Sequence, residues 1–133
     1  MVKIIELPKI IDRRGNLSFF ESSNHVPFEI KRTYWIYDVP GGETRGGHAY
    51  KELQEIVIAL SGSFDVHVES NNGVEVFSLN RSYNALYLPP GTWRSLQNFS
   101  TNAVCLVAAS AAYDENDYIR DYQQFKSFIQ HGK

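Results

Sequence analysis

Residues Phe64–Ser70 read F-D-V-H-V-E-S, with an apolar side chain at every second position until Ser70. Side chains leave a strand alternately on its two faces, so this period of two puts Phe64, Val66 and Val68 on one side and Asp65, His67 and Glu69 on the other. A helix would scatter both sets around its circumference. Asn71-Asn72-Gly73 is turn chemistry, and the apolar pattern then resumes, which predicts a hairpin from Ser63–Ser70 into Val74–Leu79. Short runs rich in β-branched and aromatic residues, bounded by Gly, Pro, Asn and Ser, recur along the chain. They predict further strands at Val2–Leu7, Asn16–Glu21, Lys31–Asp38, Glu55–Ser61, Asn84–Leu88, Arg94–Asn98 and Val104–Ala109. No strand is assigned between Asp38 and Glu55. Short strands at this spacing specify a sandwich or a barrel. Only the tail, Glu115–Gln130, has helical spacing, carried by Tyr118, Tyr122, Phe125 and Ile129. With no repeat, linker or low-complexity tract, residues 1–133 are expected to form a single domain.

Composition removes several classes of function. The net charge is −2, so no bulk field draws the chain to nucleic acid or to an anionic membrane. No segment reaches the roughly 20 apolar residues of a membrane span, and the N-terminus has no signal-peptide pattern. The single cysteine, Cys105, lies in an apolar run. It is expected to be buried and inert, in keeping with a cytoplasmic location. His25, His67 and His131 are expected to be ordinary surface or satisfied histidines.

Gly46–Gly62 and Pro89–Asn98 carry the chemistry. In metal-binding cupin barrels a first motif, H-x-H, four residues, E, six residues, G, is followed downstream by P-x-G-x-x-H-x-x-x-N. This chain resembles that pair, with His48, Glu55 and Gly62 on register, but Tyr50 and Arg94 replace two of the histidines. The four inward-facing positions are then His48, Tyr50, Glu55 and Arg94. A guanidinium is permanently charged and cannot ligate a cation, so no metal is expected. A lone neutral imidazole is instead suited to moving protons near neutral pH. Arg14, Arg32, Arg45 and Lys51 are the basic groups available to an anionic substrate. Lys31 and Arg32 are adjacent in a strand, so at most one of them enters the barrel. Tyr34, Trp35, Tyr37 and Trp93 are candidates to stack on a sugar or a base.

Longer stretches sharpen the resemblance. I-I-D-R-R-G-N-L (Ile10 to Leu17), I-K-R-T-Y-W-I-Y-D (Ile30 to Asp38), R-G-G-H-A-Y-K (Arg45 to Lys51) and Y-D-E-N-D-Y-I-R-D-Y (Tyr113 to Tyr122) are similar to the nucleotide-sugar 3,4-ketoisomerases of the WxcM-like cupin family. The resemblance implies an all-β fold, a cupin jelly-roll barrel with a short C-terminal helix. It also implies a homodimer without metal or other cofactor, acting on dTDP-4-keto-6-deoxyglucose. The ketone would move from C4 to C3, on the route to a 3-amino-3,6-dideoxy sugar of surface glycans such as lipopolysaccharide. In the family motif R-G-x-H-A-H-K the first His is the catalytic base, which implies that role for His48. The second has a supporting proton-transfer role, and here that position is Tyr50. Arg14 is similar to relatives forming the galacto product, and Arg94 to those forming the gluco product; galacto is slightly favoured. Two other readings stay open, a sugar-nucleotide 3,5-epimerase-like enzyme and a non-catalytic sugar-binding cupin.

Overall fold

The computed structural model describes residues 1–131. In chain order the strands are β1 (Lys3–Glu6), β2 (Lys9–Ile10), β3 (Leu17–Ser18), β4 (Arg32–Ile36), β5 (Arg45–Tyr50), β6 (Glu55–Ser61), β7 (Phe64–Ser70), β8 (Gly73–Leu79), β9 (Asn84–Leu88), β10 (Trp93–Gln97), β11 (Val104–Ala109) and β12 (Tyr118–Ile119), followed by helix α1 (Tyr122–His131). They form two five-stranded sheets, β1-β9-β6-β11-β4 and β12-β5-β10-β7-β8, and a small β2-β3 hairpin. Every strand pair is antiparallel. The architecture is the expected jelly roll with a short C-terminal helix.

The inner faces of the two sheets share one core. Val57, Phe64, Val66, Val68, Leu79, Leu86, Leu88, Leu96, Cys105 and Val107 are all buried in it. The inward set of β7 is the set that alternation places together. Strand β6 is buried on both faces because Val26 and Phe28, from the segment before β4, cover Ile56 and Ile58 on the outside of the first sheet. On the outside of the second sheet, α1 lays Phe125 and Ile129 against Ala49 and Ile119. Cys105 is fully buried, and burial pushes its thiol up to about 12.

Four local expectations change. The β7–β8 turn is two residues, Asn71 and Asn72, because Ser70 already pairs with Gly73. The strand expected at Asn16–Glu21 shrinks to Leu17–Ser18. Arg45–Tyr50 is a strand, hidden in the sequence by two glycines and the lack of β-branched residues. The helix expected over Glu115–Gln130 begins only at Tyr122. Upstream, Asp114 caps a single 3₁₀ turn, Glu115–Asp117. The Asp117 carboxylate then accepts from the Glu52 and Leu53 N–H groups at 2.9 and 3.1 Å. This tie holds the next two residues extended as β12 beside β5. Asp121, whose carboxylate accepts from Gln124 N–H at 3.0 Å, caps the helix that follows.

Candidate active site

The site is assembled on β5, β10, β6, β4 and β12. Arg94 pairs with His48 and Ser95 with Gly46, so Gly47 is the extra residue of a β-bulge. Gly46 and Gly47 have φ of +91° and +83°, a region that favours glycine. A Cβ on Gly46 would lie 3.2 Å from the Arg94 carbonyl oxygen and 3.3 Å from its Nη1. The bulge therefore brings the β5 backbone close against Arg94 and restores alternation beyond it. His48 and Tyr50 face inward, and Ala49 faces the helix.

At the bottom of the site is a buried ion pair. Arg94 Nη2 donates to Glu55 Oε1 at 2.7 Å, with the two side chains only 3% and 1% exposed. Tyr34 ties the pair together, donating to Glu55 Oε2 at 2.9 Å and accepting from Arg94 Nη2 at 3.0 Å. Burial works against the Arg94 charge, but Glu55, Tyr34 and Tyr50 together outweigh it and hold the guanidinium above its ordinary range. Both Glu55 oxygens are engaged, and a cation already fills the position where a metal would need a ligand. This donor set does not fit a divalent ion.

Above this pair lie His48 and Tyr50. His48 Nε2 and Tyr50 Oη are 3.0 Å apart. The tautomer with Nε2–H donating to Tyr50 leaves the Nδ1 lone pair free; the reverse tautomer ties the lone pair to Tyr50 until the phenol turns to another partner. Burial first, then the positive charges of Arg94 and Arg120, lower the His48 pKa to about 3 against the opposing pull of Glu115. The imidazole is neutral at physiological pH. Burial first, then the Glu55 charge, pushes the Tyr50 phenol well above its ordinary range. The pair is thus a neutral base beside a neutral hydrogen-bond donor.

The remaining candidates divide sharply. Arg32 lies on the inner face of β4, two residues before Tyr34, while Lys31 is exposed. The Arg32 guanidinium lies 5.5 Å from the Tyr34 ring centre and 5.8 Å from that of Tyr113. Its Nε and Nη2 are buried without a hydrogen-bond partner among the described residues. Arg45 is exposed at the start of β5 and pairs with the inward-facing Leu96. Lys51 and Trp93 are not gathered into the site. Each neighbours an inward residue and so projects from the opposite face: Trp93 packs on Tyr122 and Phe125 at 5.4 and 5.5 Å, and Lys51 borders the groove beside Phe128. Arg14 lies in the β2–β3 turn, 85% exposed and bound to Asp12 at 2.9 Å.

Two residues that the sequence reading assigned to a helix complete the site. Tyr118 pairs with Tyr50 across β12 and β5. Its ring centre is 4.6 Å from that of Tyr50 and 5.1 Å from that of His48. Arg120 lies 4.1 Å from the Tyr118 ring centre and is fixed by Glu115 through bonds of 2.7 and 2.9 Å. Glu115 also accepts from Tyr113 Oη at 2.6 Å, and the Arg120 bonds hold its carboxylate at about 2. The signal was Asp121-x-x-Gln124, a helix start that excludes Tyr118.

An antiparallel jelly roll with a neutral His–Tyr pair above a buried guanidinium is a cupin-type barrel. Its relatives narrow the class. A family model described as "FdtA: WxcM-like, C-terminal" matches residues 1–130. The chain is 42% identical over 127 residues to the TDP-4-oxo-6-deoxy-alpha-D-glucose-3,4-oxoisomerase of Aneurinibacillus thermoaerophilus, covering 96% of this chain and 91% of that one. A mutant of the 3,4-ketoisomerase QdtA from Thermoanaerobacterium thermosaccharolyticum, solved with TDP-4-keto-6-deoxyglucose, superposes with a TM-score of 0.94 at 35% identity, over 97% of this chain and 94% of that one. The WlaRB TDP-quinovose 3,4-ketoisomerase of Campylobacter jejuni has a TM-score of 0.88 at 43% identity, over 93% and 95%. The chain belongs to this WxcM-like FdtA family of sugar-nucleotide 3,4-ketoisomerases.

Proposed function

We propose that the chain isomerises dTDP-4-keto-6-deoxyglucose to a dTDP-3-keto-6-deoxyhexose. The observation that carries this reading is the His48–Tyr50 pair, a neutral base 3.0 Å from a phenol on the inner face of the barrel. The C4 ketone acidifies the proton on C3. His48 removes it, and Tyr50 donates a hydrogen bond to the oxygen on which charge develops. His48 returns the proton to C4. Glu55 and Tyr34 hold Arg94 as a fixed charge beneath the pair. Arg32, with two buried donors unpaired, is suited to the diphosphate, an anion that supplies the missing acceptors; Arg45 is a second cation on the same face.

One proton carrier on one face of the sugar favours one product. In a gluco-configured ring H3 and H4 lie on opposite faces, whereas H4 of a galacto ring lies on the face of H3. Same-face return by His48 therefore gives the galacto product. The gluco product is the second reading, favoured by the 43% identity to a protein named for quinovose, which is 6-deoxyglucose. The enzyme needs no metal and acts in the cytoplasm as a homodimer. Trp35 and Tyr37, 58% and 60% exposed on and just beyond edge strand β4, support such an interface. The product would be aminated to a 3-amino-3,6-dideoxy sugar for a surface glycan.

Incubation with dTDP-4-keto-6-deoxyglucose, followed by proton NMR, tests the reading. A carbonyl shifted to C3 is expected, and the coupling of H4 assigns the epimer. Inversion at C3 and C5 without a shift would make the chain an epimerase, and no reaction in the presence of binding would make it a binding module. His48→Asn is expected to lose turnover and keep dTDP binding. Tyr50→Phe is expected to slow turnover less.

A further inference from the structure

Moving a ketone to its neighbouring carbon displaces two protons. One leaves C3 and arrives at C4; the other leaves the hydroxyl on C3 and arrives on the oxygen of C4. His48 serves the first. The second needs groups that give and take a proton between two oxygens about 3 Å apart, a hydrogen-bonding distance. At the position where the family motif carries its second His, this chain has Tyr50, so the partner has to come from elsewhere.

Register places that partner. Tyr118 stands opposite Tyr50 on the β12–β5 pair, so both phenols leave the same face of the sheet. Their ring centres are 4.6 Å apart, so the Tyr118 phenol lies directly beside that of Tyr50. The Tyr118 ring is also held in place: Arg120 covers it at 4.1 Å and Glu115 fixes Arg120 with two bonds. Tyr34, the other phenol near His48 and Tyr50, is already committed to Glu55 and Arg94.

We propose that Tyr118 and Tyr50 form a two-hydroxyl relay that carries the O3 proton to O4 while His48 carries the carbon-bound proton from C3 to C4; the proposal rests on the ketoisomerase reading above. The C3–H bond breaks to the His48 imidazole, its electron pair forms the C3–C4 double bond, and the carbonyl pair moves to O4. O4 takes the Tyr50 proton, Tyr50 takes that of Tyr118, and Tyr118 takes that of O3. The charge now on O3 forms the new carbonyl, and the double-bond pair recovers the proton from the imidazolium at C4. Nothing is gained or lost by the enzyme. Because each proton advances one place, neither phenol has to ionise, which suits a Tyr50 held far from its phenolate form.

The experiment uses the full chain in deuterated water with dTDP-4-keto-6-deoxyglucose, and counts both deuterium at C3 of recovered substrate and 3-keto product. In Tyr118→Phe, which keeps the ring, exchange at C3 is expected to stay within about 3-fold of wild type while product formation falls about 100-fold, the scale of one general acid–base group. Tyr113→Phe, which removes a hydroxyl that bonds Glu115, should leave the ratio of exchange to product unchanged. Restoring a histidine with Tyr50→His should make the relay dispensable, so that Tyr118→Phe in that background costs less than about 3-fold. Loss of exchange and product in proportion, no change in either, or an equal loss in the Tyr50→His background would each overturn the relay. A wild-type chain that makes no 3-keto product would overturn the ketoisomerase reading instead.

Discussion

Replacing Arg94 with methionine tests the site's foundation and its chemistry together. The substitution keeps an unbranched side chain of similar reach and removes the charge. Glu55, 1% exposed, then keeps only the Tyr34 hydroxyl at 2.9 Å. Removing one partner of a buried ion pair costs about 3–5 kcal/mol, because the other charge is left uncompensated. For a domain of this size, 1 kcal/mol corresponds to about 4 °C in Tm, so a fall of about 12–20 °C is expected by circular dichroism. Adding Glu55→Gln removes the stranded charge and should recover most of the loss, since an apolar or neutral replacement of both partners is close to neutral. Arg94 also lowers the His48 pKa. In Arg94→Met the imidazole should titrate nearer its ordinary value, followed by NMR of the ring protons. A single variant melting within about 3 °C of wild type, or a double variant no more stable than the single one, would refute the reasoning.

Three further outcomes follow from the geometry. With His48 at about 3, kcat/KM of the free enzyme should show no acid limb near 6.5, and a limb there matched by NMR titration of the His48 ring protons near 6.5 would contradict the burial argument. Linkage gives a stability counterpart: the folded pKa lies below the unfolded one, so this stabilisation is complete above about 6.5 and is lost as the pH falls towards about 3. Urea titrations across that window should steepen for wild type relative to His48→Asn. At Gly62, φ is +68° and a Cβ would lie 2.4 Å from Ser100 Oγ and 2.8 Å from Ala103 Cα; Gly62→Ala should cost about 2 kcal/mol or more, and an unchanged melting curve would show that the β6–β7 turn relaxes freely.

How much of this was legible along the chain depends on the range of the forces involved. Alternation in Phe64–Ser70 and the buried run Glu55–Ser61 are local patterns, and both strands formed where the pattern placed them. The two half-motifs likewise located His48, Tyr50, Glu55 and Arg94, because their spacing is fixed relative to Gly62, which follows β6, and to Pro89-Pro90-Gly91, which precedes β10. Charge marks Lys51 and an aromatic ring marks Trp93 as candidates, but each neighbours an inward residue, and the pleat sends it to the other face. Arg14 is exposed and bound to Asp12.

The sequence alone determined the all-β fold and the guanidinium that takes the place of a metal ligand, since each follows from residue type and short-range spacing. Only the tertiary structure decided what surrounds His48. Tyr118, Tyr122, Phe125 and Ile129 keep helical spacing, and only the cap signal at Asp121 separates Tyr118 from α1. Its extended conformation comes from pairing with Tyr50, 68 positions earlier in the chain, and from Asp117 binding the Glu52 and Leu53 N–H groups. Hydrogen bonds between such distant segments exist only once both sheets have closed, and they overrule a helical preference worth a few tenths of a kcal/mol per residue.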